Sequence, residues 1–189
     1  MKHFKISLLP ICMLVVFLSC GKDEVSSDCS KQVLTGNMDG VNWTASEIAQ
    51  ATILKGIDPS TGKSGYRLDL LAKAKDGSSL RIVVNEFEKV LHGDCMDQNK
   101  TWSTNLGENY FDPATFASEI AIFIFTTSDN KIYFNTSEGT PGTFKFSQCD
   151  ASKKTISGTF DFRYEVYNDE IEIIKFSNGV FENICFTIL

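Results

Sequence analysis

The chain has 189 residues, 42% hydrophobic and 22% charged, with 24 acidic against 18 basic side chains and a net charge of −6. Nucleic-acid affinity comes mainly from Lys and Arg neutralising phosphates, and this acidic chain has no basic run, so nucleic acid is excluded as an expected partner. The length suits a single domain able to bury a substantial core.

The N-terminus carries Lys2, His3 and Lys5, then 14 uncharged residues from Ile6 to Ser19. A membrane-spanning helix needs roughly 20 apolar residues, so this run is too short to span and fits the apolar region of a secretory signal over residues 1–19. Bulky Phe17 breaks the small-x-small pattern of ordinary signal cleavage. The segment FLSC instead resembles a bacterial lipobox, which implies that Cys20 becomes the acylated first residue of the mature chain. One acyl chain anchors only marginally, at about 0.8 kcal/mol per buried methylene. Bacterial lipoproteins of this kind carry two or three chains, so the resemblance implies a lasting membrane anchor. The alternative is an ordinary signal peptide with Cys20 as an incidental thiol.

Lys22, Asp23 and Glu24 follow in CGKDEV, which resembles the export tag of surface lipoproteins in Bacteroidetes-type Gram-negative bacteria. The resemblance implies an outer-membrane location facing the cell surface; a charged tether and a periplasm-facing location are the alternatives. Removing residues 1–19 leaves 16 basic against 24 acidic residues, a mature net charge of −8. Residues 20–32 then form a lipidated cysteine and a polar tether. The four remaining cysteines, Cys29, Cys95, Cys149 and Cys185, are expected to form two disulfides in an oxidising compartment. Three connectivities are open. Their spacing fits no CxxC-type zinc pattern, and no metal or cofactor is expected.

The domain from 33 to 189 reads as strands. VLTGNMDGVNWTA places Asp39-Gly40 between apolar stretches, a hairpin signal, and Trp43 is expected in the core. TASE (44–47) has capping-box spacing, but β-branched Thr52 and Ile53 favour a strand. GIDPSTGKSG (56–65) has five residues between Gly56 and Gly62 where a phosphate-binding loop has four, and a strand follows; it reads as a hairpin turn. YRLDLLAKA alternates through Tyr66, Leu68, Leu70 and Ala72, then KDGSS turns into LRIVVNEF. EIAIFIFTT is apolar on both faces, as a central strand would be, and KIYFNT and GTFKFSQC follow.

In TISGTFDFRYEVYN, Ile156, Gly158, Phe160, Phe162, Tyr164 and Val166 share one face, with Ser157, Thr159, Asp161, Arg163 and Glu165 on the other. IEIIKF, Asn178-Gly179 and VFENICFTIL close the chain, with Asn-Gly as either a type I′ turn or a bulge. One or two helical turns are expected at DPATFASE (112–119), with Asp112 at the N-cap and Pro113 at the first position. The expectation is an all-β, antiparallel sandwich or barrel-like domain with one long loop at about 88–119.

The early DG…W.A, late GTF.F and terminal NG.F motifs resemble an uncharacterised family of small Bacteroidetes lipoproteins. They are carried by Asp39, Gly40, Trp43, Ala45, Gly158, Thr159, Phe160, Phe162, Asn178, Gly179 and Phe181. The resemblance implies fold and location, and no activity.

Catalytic chemistry finds little support. After Cys20 the chain has one histidine, His92, too few for a His-built zinc site, and GxSxG is missing. Asp94, Asp97 and Asn99 lack the spacing of a calcium loop, and scattered acids make a weak case for a glycosidase pair. The long loop has the most functional composition: Trp102, Asn105, Glu108, Asn109, Tyr110 and Phe111 offer flat rings beside amides and a carboxylate. Those residues suit a glycan or small-ligand site; the competing reading folds Trp102 and Phe111 over the end of the sheet as core. The expected function is therefore a non-catalytic binding module, or a structural protein docking on another outer-membrane component.

Overall fold

The structure is a computed structural model that describes residues 29–57, 62, 64–87, 95–98, 100–103, 121–134, 142–167 and 171–189. Among the described residues, a 3₁₀ turn at Cys29–Lys31 leads into twelve strands: β1 Val33–Met38, β2 Val41–Thr44, β3 Glu47–Ile57, β4 Ser64–Lys73, β5 Ser79–Phe87, β6 Thr101–Ser103, β7 Ala121–Thr126, β8 Ile132–Phe134, β9 Thr143–Asp150, β10 Thr155–Tyr167, β11 Ile171–Cys185 and β12 Thr187–Ile188. They form two six-stranded sheets, ordered β2-β1-β11-β10-β9-β6 (sheet A) and β12-β3-β4-β5-β7-β8 (sheet B). The sheets pack face to face as a sandwich, which decides against the barrel.

Period-two alternation sets the inner faces. Tyr66, Leu68, Leu70 and Ala72 of β4 are all buried, as are Phe160 and Phe162 of β10. Asp39 and Gly40 take φ of 50° and 87° between β1 and β2, the pair of positive values a type I′ hairpin requires. Glu47 to Ile57 is strand β3, not helix, and the Ala45-Ser46 link before it is held by backbone bonds, Ala45 N–H to Leu34 O and Ser46 N–H to Lys73 O. Gly56 pairs Gly65 and Ile57 pairs Ser64 across an antiparallel hairpin, as read for GIDPSTGKSG.

Three features depart from the expectation or resolve it. Asn178-Gly179 is a bulge, because β11 runs unbroken through it and β10 pairs with both sides, Phe160 opposite Gly179 and Phe162 opposite Phe176. The final strand breaks at buried Phe186, and β12 crosses to sheet B, where it pairs parallel with β3. The 88–119 stretch is not a continuous loop: β6 lies inside it and pairs antiparallel with β9. The helical turns expected at 112–119 lie outside the described residues.

Aromatic rings fill the space between the sheets. Phe123 of sheet B stacks on Phe162 of sheet A at 4.2 Å and on Phe160 at 5.6 Å. Trp43 meets Phe125 and Phe176 edge-on at 6.2 and 6.0 Å. Each buried large apolar side chain contributes about 1.5–3 kcal/mol. Its indole N–H is not wasted: Trp43 Nε1 donates to Ser78 Oγ at 2.8 Å, and Ser78 donates through both Oγ and N to Asp76 Oδ1 at 2.6 and 2.9 Å.

Glycine makes room for these rings. A Cβ on Gly158 would lie 2.1 Å from the Lys145 carbonyl oxygen and 2.4 Å from Phe181 Cζ; one on Gly179 would lie 2.5 Å from the Phe160 carbonyl oxygen. Each glycine sits opposite the phenylalanine that covers it, Gly158 with Phe181 and Gly179 with Phe160. The GTF.F and NG.F motifs are thus packing devices, a bare backbone under a cross-strand ring.

Candidate functional site

Of the six residues expected to form the ligand site, Trp102 is the one that lies among the described residues. Trp102 sits in β6 and is only 1% exposed. Its ring meets Phe144 and Phe146 edge-on at 6.1 and 5.4 Å, and Lys100 Nζ lies 5.7 Å from its centroid. The indole N–H donates to Asn85 O at 3.2 Å, one residue beyond the last β5–β7 pair, Val84 with Ala121. A ring enclosed in this way offers no face to a sugar, which corrects the binding role and supports the core reading. Asn105, Glu108, Asn109, Tyr110 and Phe111 lie outside the described residues, as do Cys20, Lys22, Asp23, Glu24 and His92.

The cysteines pair Cys29 with Cys185 and Cys95 with Cys149, one of the three connectivities left open. The second bridge pins buried Met96 near β9, where Gln98 Nε2 also donates to Cys149 O at 3.2 Å. Of the oxygen donors weighed for calcium, Asp97 uses its backbone N–H to donate to Glu86 Oε2 at 3.1 Å. Asp94 and Asn99 lie outside the described residues. Among the described residues no group of three metal-ligating side chains gathers.

The structure instead presents a recess of about 530 Å³ over the β10–β11 pair in the middle of sheet A. It is lined by Thr159, Asp161, Arg163, Lys175, Ser177 and Asn178, among others. Phe160, Phe162 and Phe176 turn into the core, so the alternate residues Thr159, Asp161, Arg163, Lys175 and Ser177 face outward. Asn178, with φ of 53°, is the extra residue of the bulge; a bulge bends its strand and raises the local twist, which hollows the outer surface there.

The electrostatics of the recess are specific. Arg163 and Lys175 stand directly opposite each other in the register, a placement that brings Cβ atoms to about 4.5–5.5 Å and makes like charges repel. Neither has a carboxylate partner among the described residues. Asp161, two residues from Arg163, accepts from Thr143 Oγ1 through Oδ2 at 2.6 Å. That bond holds one carboxylate oxygen, and Oδ1 is the second acceptor of a side chain that lines the recess. Sequence alternation placed Asp161 and Arg163 on a shared polar face, but nothing local to either strand shows that Lys175 is opposite Arg163.

Elsewhere on the outer surface, Arg81 forms a bidentate pair with buried Asp69 on sheet B, through Nε at 2.9 Å and Nη2 at 2.5 Å. Hydrogen bonding to Asp69 raises the Arg81 pKa, so this cation is held by a carboxylate, whereas Arg163 and Lys175 have no such partner among the described residues. No protein-family model, curated protein or solved structure matches the chain.

Proposed function

We propose that the chain is a non-catalytic, surface-anchored lipoprotein whose sandwich carries a ligand-binding recess on the outer face of β10 and β11. The observation that carries this reading is the recess itself: its volume of about 530 Å³ falls within the roughly 300–1,000 Å³ of small-molecule sites. A second support is the polar part of its lining, in which Thr159, Asp161, Ser177 and Asn178 supply hydroxyl, carboxylate and amide groups suited to a hydroxylated ligand such as a glycan. Trp102 of the 88–119 stretch is core and is not part of this proposal.

The membrane anchor belongs to the same proposal. Acylated Cys20 would hold the domain to the outer membrane, with Lys22, Asp23 and Glu24 directing it to the cell surface. Eight residues lie between Cys20 and Cys29, which the bridge to Cys185 ties to the folded domain, so the reach is at most about 30 Å of extended chain. Cys20→Ser is expected to move the protein out of the membrane fraction; continued membrane association would remove the lipobox assignment. For the recess, the detergent-extracted protein is titrated calorimetrically with a panel of neutral and acidic oligosaccharides. Binding that Ser177→Trp abolishes supports the site, and binding that survives this blocked recess refutes it.

A further inference from the structure

We propose that the recess over β10 and β11 recognises a carboxylate-bearing saccharide, with Arg163 and Lys175 holding the carboxylate and Asp161 accepting from its hydroxyls. This rests on the reading of the recess as a ligand site and names the class of ligand it takes.

Directly opposed like charges on an antiparallel ladder are destabilising, and this sheet surface gives neither cation a described carboxylate to relieve the repulsion. An arriving carboxylate does relieve it: two cations across one strand spacing bracket a single anionic group. Arg163 contributes a planar fork of donors that fits a carboxylate in bidentate fashion, and Lys175 contributes a point charge beside it. The chain as a whole is acidic, at −6, so the attraction is local to this recess and does not draw polyanions over the wider surface.

Asp161 narrows the choice. Its Oδ2 is occupied by Thr143, and its Oδ1 remains as an acceptor two residues along the same face from Arg163. A carboxylate in that position repels a phosphate group, with its charge of about −1.5 to −2, more strongly than a singly charged carboxylate, and welcomes hydroxyl donors. Ser177 and Asn178, which line the recess beside it, extend the same hydrogen-bonding surface. One anionic end and several hydroxyls describe an acidic sugar. The phenylalanines of these strands face the core, so recognition here is through charge and hydrogen bonds, without ring stacking.

The test uses the full lipoprotein extracted in detergent, titrated with oligogalacturonate, the matching neutral galacto-oligosaccharide, a sulfated oligosaccharide and inorganic phosphate. Arg163→Gln and Lys175→Gln are compared with wild type, and Lys153→Gln, on a distant turn, serves as the charge control. Oligogalacturonate is expected to bind best, with affinity falling about tenfold or more in each recess variant, the scale of a charge-assisted hydrogen bond, and falling further as salt rises. The melting temperature of both variants should equal or exceed wild type, because each removes one member of the repelling pair. Arg163→Lys should recover part of the affinity, since charge returns without the fork. Equal binding of the neutral oligosaccharide at a site that Ser177→Trp blocks overturns the carboxylate assignment while leaving the recess as a ligand site. Tighter binding of sulfate or phosphate also overturns it, as does oligogalacturonate binding that the two variants leave unchanged. Failure of the whole panel overturns this inference and the ligand-site reading together.

Discussion

Replacing Trp102 with Ala separates a structural ring from a binding platform. The side chain is 1% exposed, lies edge-on to Phe144 and Phe146, and donates to Asn85 O. Trp→Ala changes at enclosed core sites cost about 3–5 kcal/mol, through lost transfer energy and the cavity left behind. For a domain of this size each kcal/mol lowers the melting temperature by about 2–4 °C, so a fall of about 6–20 °C is expected. Trp102→Phe keeps most of the ring but removes the donor to Asn85 O, and should cost about 1–2 kcal/mol. The assay is thermal unfolding followed by circular dichroism, repeated as urea titration to confirm an unchanged slope. A Trp102→Ala melting temperature within about 2 °C of wild type, the effect of less than 1 kcal/mol, would show that the ring is exposed. It would return the residue to the list of ligand contacts.

Ser78→Ala orphans the buried Trp43 N–H and should cost about 1–3 kcal/mol; combined with Trp43→Phe, which removes that donor, the loss should be less than additive. Additive losses would show that the Trp43–Ser78 bond does not form. Hydrogen bonds from the Ser78 hydroxyl, and then from its backbone N–H, hold the Asp76 pKa below its ordinary 3.8. A depressed folded value means that this contribution is complete above the ordinary value and is lost as pH falls through the lower folded one. The melting-temperature gap between wild type and Asp76→Asn should therefore be constant at pH 5–8 and shrink below about pH 4; a gap that persists at pH 2 refutes the assignment. Gly158→Ala drives a Cβ to 2.1 Å from the Lys145 carbonyl oxygen and should destabilise by about 1–3 kcal/mol. Gly56→Ala meets no heavy atom within 4 Å and should be neutral or stabilising by about 0.5–1 kcal/mol; equal effects at the two glycines would contradict the packing. Cys95→Ala/Cys149→Ala opens a bridge with a sequence separation of 54, worth about 4 kcal/mol by chain entropy; a melting temperature unmoved by the double change would show that the pair is not bridged.

Alternation is a property of a few consecutive residues, because successive side chains of a strand point to opposite faces whatever lies next to it. That is why β4, β5, β7, β9 and β10, the Asp39-Gly40 hairpin and the burial of Trp43 were legible in the sequence, and with them the all-β class. Composition within one stretch could not say whether Trp102 stacks on a ligand or on Phe144, because the answer depends on β6 pairing with β9 some forty residues later. The same limit applied to Asn178-Gly179, where turn and bulge share a local signature and only the pairing of β10 with both halves of β11 separates them. Four cysteines admit three pairings, and the choice of Cys29 with Cys185 follows from β11 ending beside the 3₁₀ turn, 156 residues away in sequence. The recess belongs to the same class. Asp161 and Arg163 showed themselves as a polar face, yet their meaning depends on Lys175 opposite and Thr143 alongside. Local sequence determined which faces turn inward; the register between strands, set by the packing of both sheets, decided which charges meet.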